Sequence, residues 1–277
     1  MRRSRSAATD PAGTTPDDIN RPVWARSASE FEDQLGWLDR GEETSLLRVA
    51  DEVRGGPLLD LGVGAGRSTS LVRMLGADYV GVDYTPSMVE SCRRRFPAER
   101  FELADARDLS MFPEGYFALV LFTFNGIDAV GHEDRQRIIS EVRRVLRPGG
   151  YFIFNSHNHA GPSFTDRPWN LQPLTPMTPR RIAYNALRRV AELPFSVANF
   201  RRLKAESSDE GTHAMYPSAS HRFGLVVYFT TVDAQLDALT HAGFAPVEIY
   251  TDLNGERIEA TADARRNVWP YFVARAT

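Results

Sequence analysis

Three glycines at alternate positions follow an apolar strand in the stretch Leu58-Leu59-Asp60-Leu61-Gly62-Val63-Gly64-Ala65-Gly66-Arg67. Residues 57–61 have the pattern of a short buried strand, and residues 68–75 that of the first turns of a helix. Glycine lets the backbone turn with positive φ and lets a ligand approach closely. The stretch therefore predicts a nucleotide-binding turn. Its G-x-G-x-G spacing differs from the G-x-G-x-x-G of dinucleotide sites, where a pyrophosphate lies on the helix N-terminus.

Strand and helix patterns alternate through residues 57–157. After the glycine turn, strands are predicted at 78–83, 100–104, 117–124 and 151–155, and helices at 87–96 and 133–146. The run 117–124 is almost uninterruptedly apolar, which is typical of a central parallel strand covered on both faces. The alternation predicts right-handed crossovers and a doubly wound sheet with helices on both faces.

The alternation stops between residues 158 and 222, where prolines stand at positions 162, 168, 173, 176 and 179. A short helix is indicated near 180–192, and a loop this long inside a compact domain is usually functional. The alternation then resumes with a strand at 223–230, a helix at 232–242 and strands at 246–250 and 267–274. The predicted fold is α/β: a Rossmann-like, doubly wound, mostly parallel seven-stranded sheet with an antiparallel last strand and an irregular cap insertion.

Composition limits the class of protein. A chain of 277 residues with 42% hydrophobic residues can bury a full core, and one domain with an insertion fits that length best. The net charge of −3 and the lack of a lysine run argue against nucleic-acid or membrane partners. Cys92 is the only cysteine, which excludes an intrachain disulfide and a cysteine-based metal site. No apolar run reaches the roughly 18 residues of a membrane span, and we expect a soluble, cytoplasmic protein.

Four segments follow from these patterns. Residues 1–20 are predicted to be a disordered tail, because they combine arginine with serine, threonine, proline and aspartate. Residues 21–56 are predicted to be helical. Residues 57–157 and 223–277 form the predicted core, and residues 158–222 a cap on the substrate side.

Acidic side chains stand at the ends of three successive predicted strands. In such sheets the ligand binds at the carboxyl edge, at the switch point of strand order, and Asp60, Asp83 and Asp105 fall there. Asp83 comes 17 residues after Gly66, the placement at which a carboxylate accepts hydrogen bonds from both hydroxyls of a ribose. Asp105 is suited to accept a hydrogen bond from the exocyclic amine of adenine.

These features together resemble the class I S-adenosylmethionine-dependent methyltransferases. The resemblance rests on the ordered set Asp60–Gly66, Val82–Met88, Ala104–Arg107 and Leu146–Gly150, and it covers residues 58–157 well and residues 229–277 more loosely. It implies S-adenosylmethionine as cofactor, with the glycines on its methionyl end. The implied cofactor-binding residues are Trp37, Asp60, Gly62, Gly64, Gly66, Asp83, Tyr84, Met88, Asp105, Ala106, Arg107 and Thr123.

Some of these roles have alternatives. By the resemblance, Asp83 binds the ribose, Met88 flanks the adenine, and Asp105 with Ala106 faces the adenine edge. Asp60 either holds the glycine loop or meets the cofactor's amino group through water. Trp37 either belongs to a lid over the cofactor or anchors the N-terminal segment on the sheet.

The chemistry asks little of the protein, because a sulfonium already activates its methyl group and the main task is to align the acceptor. A general base is needed only when the acceptor carries a proton. His157 is the candidate base, since it shares a strand face with Asn155; a structural hydrogen bond is the alternative for it. Candidate substrate-binding residues are Asn125, His159, Tyr216 and His221.

Basic residues cluster at 180–204, where seven of them accompany only one acid, Glu192. The cluster either steers an anionic substrate or forms a solvated amphipathic helix. Arg67, beside the glycine turn, is a candidate to pair with a carboxylate on a neighbouring helix.

Several substrates are disfavoured. Residues 123–126 lack the Asn-Pro-Pro-aromatic run of some nucleic-acid amino methyltransferases. Cys92 lies in a predicted helix and is no credible nucleophile for a cytosine-C5 enzyme. The paired-glutamate loop of protein arginine methyltransferases is also missing. No metal site is predicted, although the carboxylates of Asp128, Glu133 and Asp134 do not exclude a bound cation. A small molecule that accepts methyl on nitrogen or oxygen remains, with a nicotinamide-dependent oxidoreductase or a non-catalytic S-adenosylmethionine-binding protein as alternatives. The oligomeric state does not follow from the sequence.

Overall fold

A computed structural model describes residues 15–32, 36–76, 78–170, 179–259 and 261–277. Its helices are α1 (Pro16–Glu32), α2 (Arg40–Val53), α3 (Thr69–Val72), α4 (Pro86–Arg95), α5 (His132–Val145), α6 (Pro179–Lys204) and α7 (Val232–His241). Its strands are β1 (Pro57–Leu61), β2 (Asp78–Asp83), β3 (Arg100–Leu103), β4 (Phe117–Phe122), β5 (Leu146–Asn155), β6 (His157–Asn158), β7 (Ser208–Asp209), β8 (His213–Ser218), β9 (Leu225–Thr230), β10 (Phe244–Tyr250) and β11 (Tyr271–Ala276).

The main sheet has seven strands in the order β10-β11-β5-β4-β1-β2-β3. Its strands are parallel except β11, which runs antiparallel to both β10 and β5. The predicted fold is thereby confirmed, including the antiparallel last strand. Strand order reverses between β1 and β4, so the turn after β1 lies at the switch point where open α/β sheets bind ligands.

Apolar periodicity explains how the main sheet is covered. All six residues of β4 are buried, as the apolar run predicted for a central strand. On α5 the apolar stripe Ile138, Ile139, Val142 and Val145 is buried against one face of the sheet. Helix α2 and strand β1 contribute to a second cluster on the other face, so both faces are closed and the ligand must bind at an edge.

A second sheet, with the order β6-β9-β8-β7, corrects two sequence predictions. Strand β9 was predicted to belong to the same core as residues 57–157, but it pairs with β8 and β6 of the second sheet. An apolar run predicts that a strand is buried, but it does not identify the strands that pair with it. The cap at 158–222 was predicted to be irregular, yet it contains β8 and the 26-residue helix α6. Residues 171–178 of the cap lie outside the described residues.

Residues 15–20, which were predicted to belong to a disordered tail, are part of the described structure. Residues 1–14 lie outside the described residues, but α1 begins at Pro16 and its Asn20 is completely buried. The composition of this segment gives no sign that Asn20 forms buried hydrogen bonds with residues 109 and 206 positions away in the chain. Within the part of the chain that is described, no helix has the length and apolar character to cross a membrane.

Candidate active site

The glycine turn between β1 and α3 adopts the conformation that its sequence predicted. Gly62, Gly64 and Gly66 all have positive φ, at 60°, 56° and 88°. A Cβ atom on Gly62 would lie 2.6 Å from the Phe122 ring, whereas a Cβ atom on Gly64 would meet nothing within 4 Å. Gly62 thus serves close packing, and Gly64 is where a ligand can approach the backbone.

A cavity of about 1150 Å³ opens at this turn. Its wall is formed by the ends of β1, β2 and β4, by α1, by α6 and by residues 218–227. Pockets for one drug-sized ligand measure roughly 300 to 1,000 Å³, so the cavity has room for a cofactor and a second molecule. The predicted site residues that line it are Asp60, Gly62, Gly64, Asp83, Tyr84, Met88, Ala106, Thr123, Asn125, His157 and His221.

Two buried carboxylates mark the end of the cavity at the glycine turn. Asp83 accepts hydrogen bonds from the backbone N–H groups of Gly64 (3.0 Å) and Thr85 (2.8 Å), and burial raises its pKa. Asp60 accepts from the hydroxyls of Tyr79 (2.9 Å) and Ser68 (3.2 Å), and burial raises its pKa to about 6. Asp60 therefore holds the segment that follows the turn, and both residues line the cavity at this end.

The side chains of Tyr84 and Met88 form the wall next to Asp83. Met88 is buried, and the guanidinium of Arg21 lies 4.2 Å from the centre of the Tyr84 ring. The Tyr84 hydroxyl is buried without a hydrogen-bond partner among the described residues, and burial raises its pKa well above the usual value. A buried hydroxyl of this kind is a ready hydrogen-bonding group for a ligand.

Asp105 and Arg107 are placed differently from the prediction. Asp105 accepts from Arg107 (2.6 Å) and from Arg21 of α1 (2.9 Å), and Arg107 also pairs with Asp17 of α1. Burial favours a higher pKa for Asp105, but the hydrogen bonds from Arg107 outweigh it and hold that pKa below its usual value. Neither side chain lines the cavity; together they fasten α1 to the sheet edge, while the neighbouring Ala106 lines the wall.

A buried network ties α2 to the glycine turn. Glu42, 1% exposed, accepts two hydrogen bonds from the guanidinium of Arg67 (2.8 and 2.9 Å) and one from the Thr123 hydroxyl (2.7 Å). The predicted pairing of Arg67 with a helix carboxylate is thereby found. Trp37 lies outside the cavity wall, where its carbonyl accepts from Arg67 and its ring packs edge-on against Phe124. This placement favours the anchoring role of Trp37.

His157 belongs to a charged chain that reaches into the core. Asp128, fully buried, accepts from the backbone N–H of His157 (2.6 Å) and lies 2.8 Å from its Nδ1 atom. The other oxygen of Asp128 is bonded by Arg135, which is also fully buried, and by the Ser156 hydroxyl. Because the carboxylate only accepts, Nδ1 carries the proton and Nε2 is left as an acceptor.

Two predicted substrate-binding residues lie away from the cavity. His159 contacts Asp209 at 3.1 Å and packs on the Phe164 ring, and Tyr216 is buried between Phe164 and Phe200. Tyr216 belongs to the apolar cluster beside the second sheet, and the Phe164 ring on which His159 packs borders that cluster. Gly66 also lies outside the cavity wall, where a Cβ atom would meet Phe96.

Backbone strain is concentrated at the cavity. Within the described residues, the non-glycine positions with positive φ are Phe124, Asn125, His221, Arg222 and Phe223, and all five line the cavity. Such conformations cost about 1 to 3 kcal/mol each and persist where the surroundings enforce them, often at functional sites. Asn125 is enforced by paired hydrogen bonds with Asn155, each 2.9 Å long.

Two of the three carboxylates that left a cation site open in the sequence have arginine partners. Asp128 pairs with Arg135, and Asp134 pairs with Arg107 at 2.7 Å. No group of three or more His, Cys, Asp or Glu side chains suited to a metal occurs among the described residues. Cys92 donates to the Gly64 carbonyl at 3.1 Å, and burial raises its pKa to about 12, which fits a structural role.

The chain is similar in sequence to known methyltransferases. The sequence model of the family described as "Methyltransferase domain" matches residues 59–154. A probable S-adenosylmethionine-dependent methyltransferase of Mycolicibacterium smegmatis is 28% identical over 156 residues, covering 56% of this chain and 57% of that protein. A fatty-acid O-methyltransferase of the same organism is 32% identical over 145 residues, 50% of each chain. The chain thus spans about half the length of these relatives.

The fold is shared along most of the chain. A structure of 1,6-didemethyltoxoflavin-N1-methyltransferase from Burkholderia thailandensis, with bound 1,6-didemethyltoxoflavin and S-adenosylhomocysteine, has a TM-score of 0.58 and 16% identity. The superposition covers 99% of this chain and 93% of that one. These similarities do not favour the nicotinamide-dependent oxidoreductase. Residues 59–154 therefore form a methyltransferase domain, and the chain is similar to S-adenosylmethionine-dependent methyltransferases.

Proposed function

We propose that this protein transfers the methyl group of S-adenosylmethionine to a nitrogen or oxygen of a small molecule. The observation that carries the proposal is a single cavity with the glycine turn at one end, His157 on its wall and room for two molecules. The names of two similar proteins, a fatty-acid O-methyltransferase and a 1,6-didemethyltoxoflavin-N1-methyltransferase, support both kinds of acceptor atom.

The residues at the glycine turn fit the cofactor. Gly64 leaves open space beside the backbone, and the Tyr84 hydroxyl lacks a partner among the described residues. Asp60 and Asp83 put negative charge at this end, which suits the positive charge of a sulfonium. Bound S-adenosylmethionine supplies a methyl group that is already activated for transfer. The ribose role of Asp83 and the adenine roles of Met88 and Ala106 belong to this proposal.

The contribution of the protein to the chemistry is to exclude water, align the acceptor and take up its proton. Helices α1 and α6 wall the cavity above the sheet edge, and we assign them the roles of lid and cap. Alignment is the larger effect, since well-oriented reactants reach effective concentrations of about 10⁵ to 10⁸ M. We assign His157 the role of accepting that proton at Nε2, which the contact of its Nδ1 atom with Asp128 supports.

Calorimetry with S-adenosylhomocysteine tests the cofactor site. We expect saturable binding by the wild-type protein and a loss of about tenfold or more in Asp83→Asn, because charged hydrogen bonds contribute about 1.5 to 3 kcal/mol. Asp78→Asn, an exposed carboxylate at the opposite end of the same strand, is the matched control. Absence of saturable binding by the wild type would refute the proposal.

Transfer is tested with S-adenosylmethionine carrying a deuterated methyl group and a panel of phenols, carboxylic acids and heteroaromatic amines. Mass spectrometry of the products identifies the methylated atom. Cofactor binding without transfer to any member of such panels would instead favour a non-catalytic binding protein.

A further inference from the structure

The cavity has opposite charge at its two ends. Asp60 and Asp83 lie at the glycine turn, whereas Arg26 of α1, Arg188 and Arg189 of α6, and Arg222 line the wall beyond it. The other carboxylates among the described lining residues are Asp166 and Glu192. Positive charge therefore exceeds negative charge at the end that the cofactor does not fill.

These arginines are only partly neutralised. Glu192 lies 3.2 Å from Arg222 and 3.6 Å from Arg188, so one carboxylate serves two guanidinium groups. Arg26 and Arg189 form no ion pair with any described residue, although both line the cavity. An arginine held at a cavity wall without a carboxylate is available for an anionic ligand, which it binds in a planar, two-point manner.

Aromatic side chains also line the cavity wall. It contains Trp24, Phe223 and Trp269, and the Trp24 ring packs edge-on against His221 with centroids 5.2 Å apart. Flat aromatic molecules gain both buried area and ring contacts in such surroundings. His157 lies on the same wall, 6.4 Å from Trp269 between ring centroids.

We infer that the methyl acceptor is an aromatic small molecule that carries an anionic group, which the arginines of α1 and α6 bind while the opposite end of the molecule faces His157. The inference rests on the proposed function and narrows its substrate class. Charge complementarity at both ends then orients the two bound molecules: the cationic cofactor lies at the acidic end and the anionic acceptor at the basic end.

Two fluorescent probes of nearly equal shape test the charge preference. 8-Anilinonaphthalene-1-sulfonate is anionic, and N-phenyl-1-naphthylamine is its neutral counterpart. Both are titrated against the full chain with and without S-adenosylhomocysteine. We expect the anionic probe to bind at a single site with about tenfold or greater preference over the neutral one, and its affinity alone to fall with added salt.

The variant Arg188→Gln/Arg189→Gln should weaken binding of the anionic probe about tenfold or more and leave the neutral probe unchanged. Arg201→Gln/Arg202→Gln is the matched control, because these exposed arginines lie on the same helix away from the cavity. Equal affinity for the two probes, or equal weakening by the control pair, would overturn the inference.

Calorimetry with S-adenosylhomocysteine keeps this inference separate from the proposed function. Unchanged affinity in the Arg188→Gln/Arg189→Gln variant shows that it is folded and that its loss of probe binding is local. If the wild type does not bind S-adenosylhomocysteine but still selects the anionic probe, the proposed function fails while the anion site stands.

Discussion

At the scale of single residues, two buried carboxylates at the candidate site differ in their hydrogen-bond partners. Asp128 is shared by a histidine at the cavity and an arginine in the core. Asp60 has only hydroxyl donors and lies buried. Asp128 thus has a cationic partner, whereas burial raises the pKa of Asp60, so mutation of the two residues should have different effects.

His157→Gln should slow methyl transfer to a protonated acceptor by about 10² to 10⁴, the usual contribution of a general base. The affinity for S-adenosylhomocysteine should stay unchanged, because the imidazole acts on the acceptor. Single-turnover rates against pH measure the effect, and His159→Gln, outside the cavity, is the control. A purely structural role for His157 would leave the pH profile of the residual activity unaltered.

Arg135→Gln should destabilise the fold by about 3 to 5 kcal/mol, because it leaves Asp128 buried without its cation. Urea unfolding measures the loss. Arg137→Gln changes an exposed arginine on the same helix, paired with Asp134 at 3.6 Å, and should cost about 1 kcal/mol or less. Similar losses of stability in both variants would mean that the buried ion pair contributes no more to stability than the exposed one.

The raised pKa of Asp60 predicts a pH dependence of stability. The folded state holds this proton up to a pH of about 6, whereas the unfolded chain releases it near the ordinary carboxyl pKa of 3.8. Stability from this group is therefore present at low pH and is lost as pH rises from about 4 to 6, by up to about 3 kcal/mol. Asp60→Asn should remove that slope in urea unfolding. A wild-type and variant pair with parallel pH curves would show that Asp60 is ionised in the fold at low pH.

At the scale of elements, α1 holds the two sheets together over the cavity. Asn20 donates to the carbonyls of Ala129 and Val226 (both 2.8 Å) and accepts from the Val226 N–H group (3.1 Å). The ion pairs of Asp17 and Arg21 with Arg107 and Asp105 fasten the same helix to the edge of the main sheet. Helix α1 is thus fixed by these polar contacts with both sheets.

Asn20→Ala should cost about 1 to 3 kcal/mol, because it leaves buried backbone groups of β9 without partners. Amide exchange across α1 should accelerate more than exchange in β4. The exposed Ala25→Ser on the same helix is the control, with an effect within about 0.5 kcal/mol. Equal exchange rates in Asn20→Ala and the wild type would contradict the holding role of α1.

At the scale of the whole molecule, the cavity wall draws on both sheets, since β1, β2 and β4 meet β9 and α6 there. A ligand in it contacts elements far apart in the chain. Binding should therefore stabilise the molecule as a unit rather than one sheet alone.

S-adenosylhomocysteine should raise the free energy of unfolding by about 2.7 kcal/mol at a free concentration of about 100 Kd. Thermal unfolding followed by tryptophan fluorescence and by circular dichroism should give one coincident transition, because the ligand site joins the sheets. NADH is the control and should leave the transition unchanged. Two separated transitions in the bound protein would show that the sheets unfold independently.

The glycine turn and the strand-end acids were predictable because their geometry is local. The strand, turn and helix around Gly62–Gly66 lie within twenty residues, and the hydrophobic period of each element shows which face it buries. Asp83 then follows from the spacing of parallel strands. Asp105 occupies the predicted strand end, but whether its carboxylate faces the cavity or Arg107 depends on α1, which lies outside that local pattern.

The acceptor side was not predictable in the same way. The sequence alone determined the class of fold and pointed to the sheet end proposed for the cofactor, because both follow from short-range periodicity and chain connectivity. The tertiary structure decided that β9 belongs to a second sheet, that Asp128 orients His157 across 29 residues, and that arginines of α1 and α6 share one wall. Contacts of this kind depend on how elements far apart in the sequence pack against each other. Such packing leaves no repeating pattern along the chain.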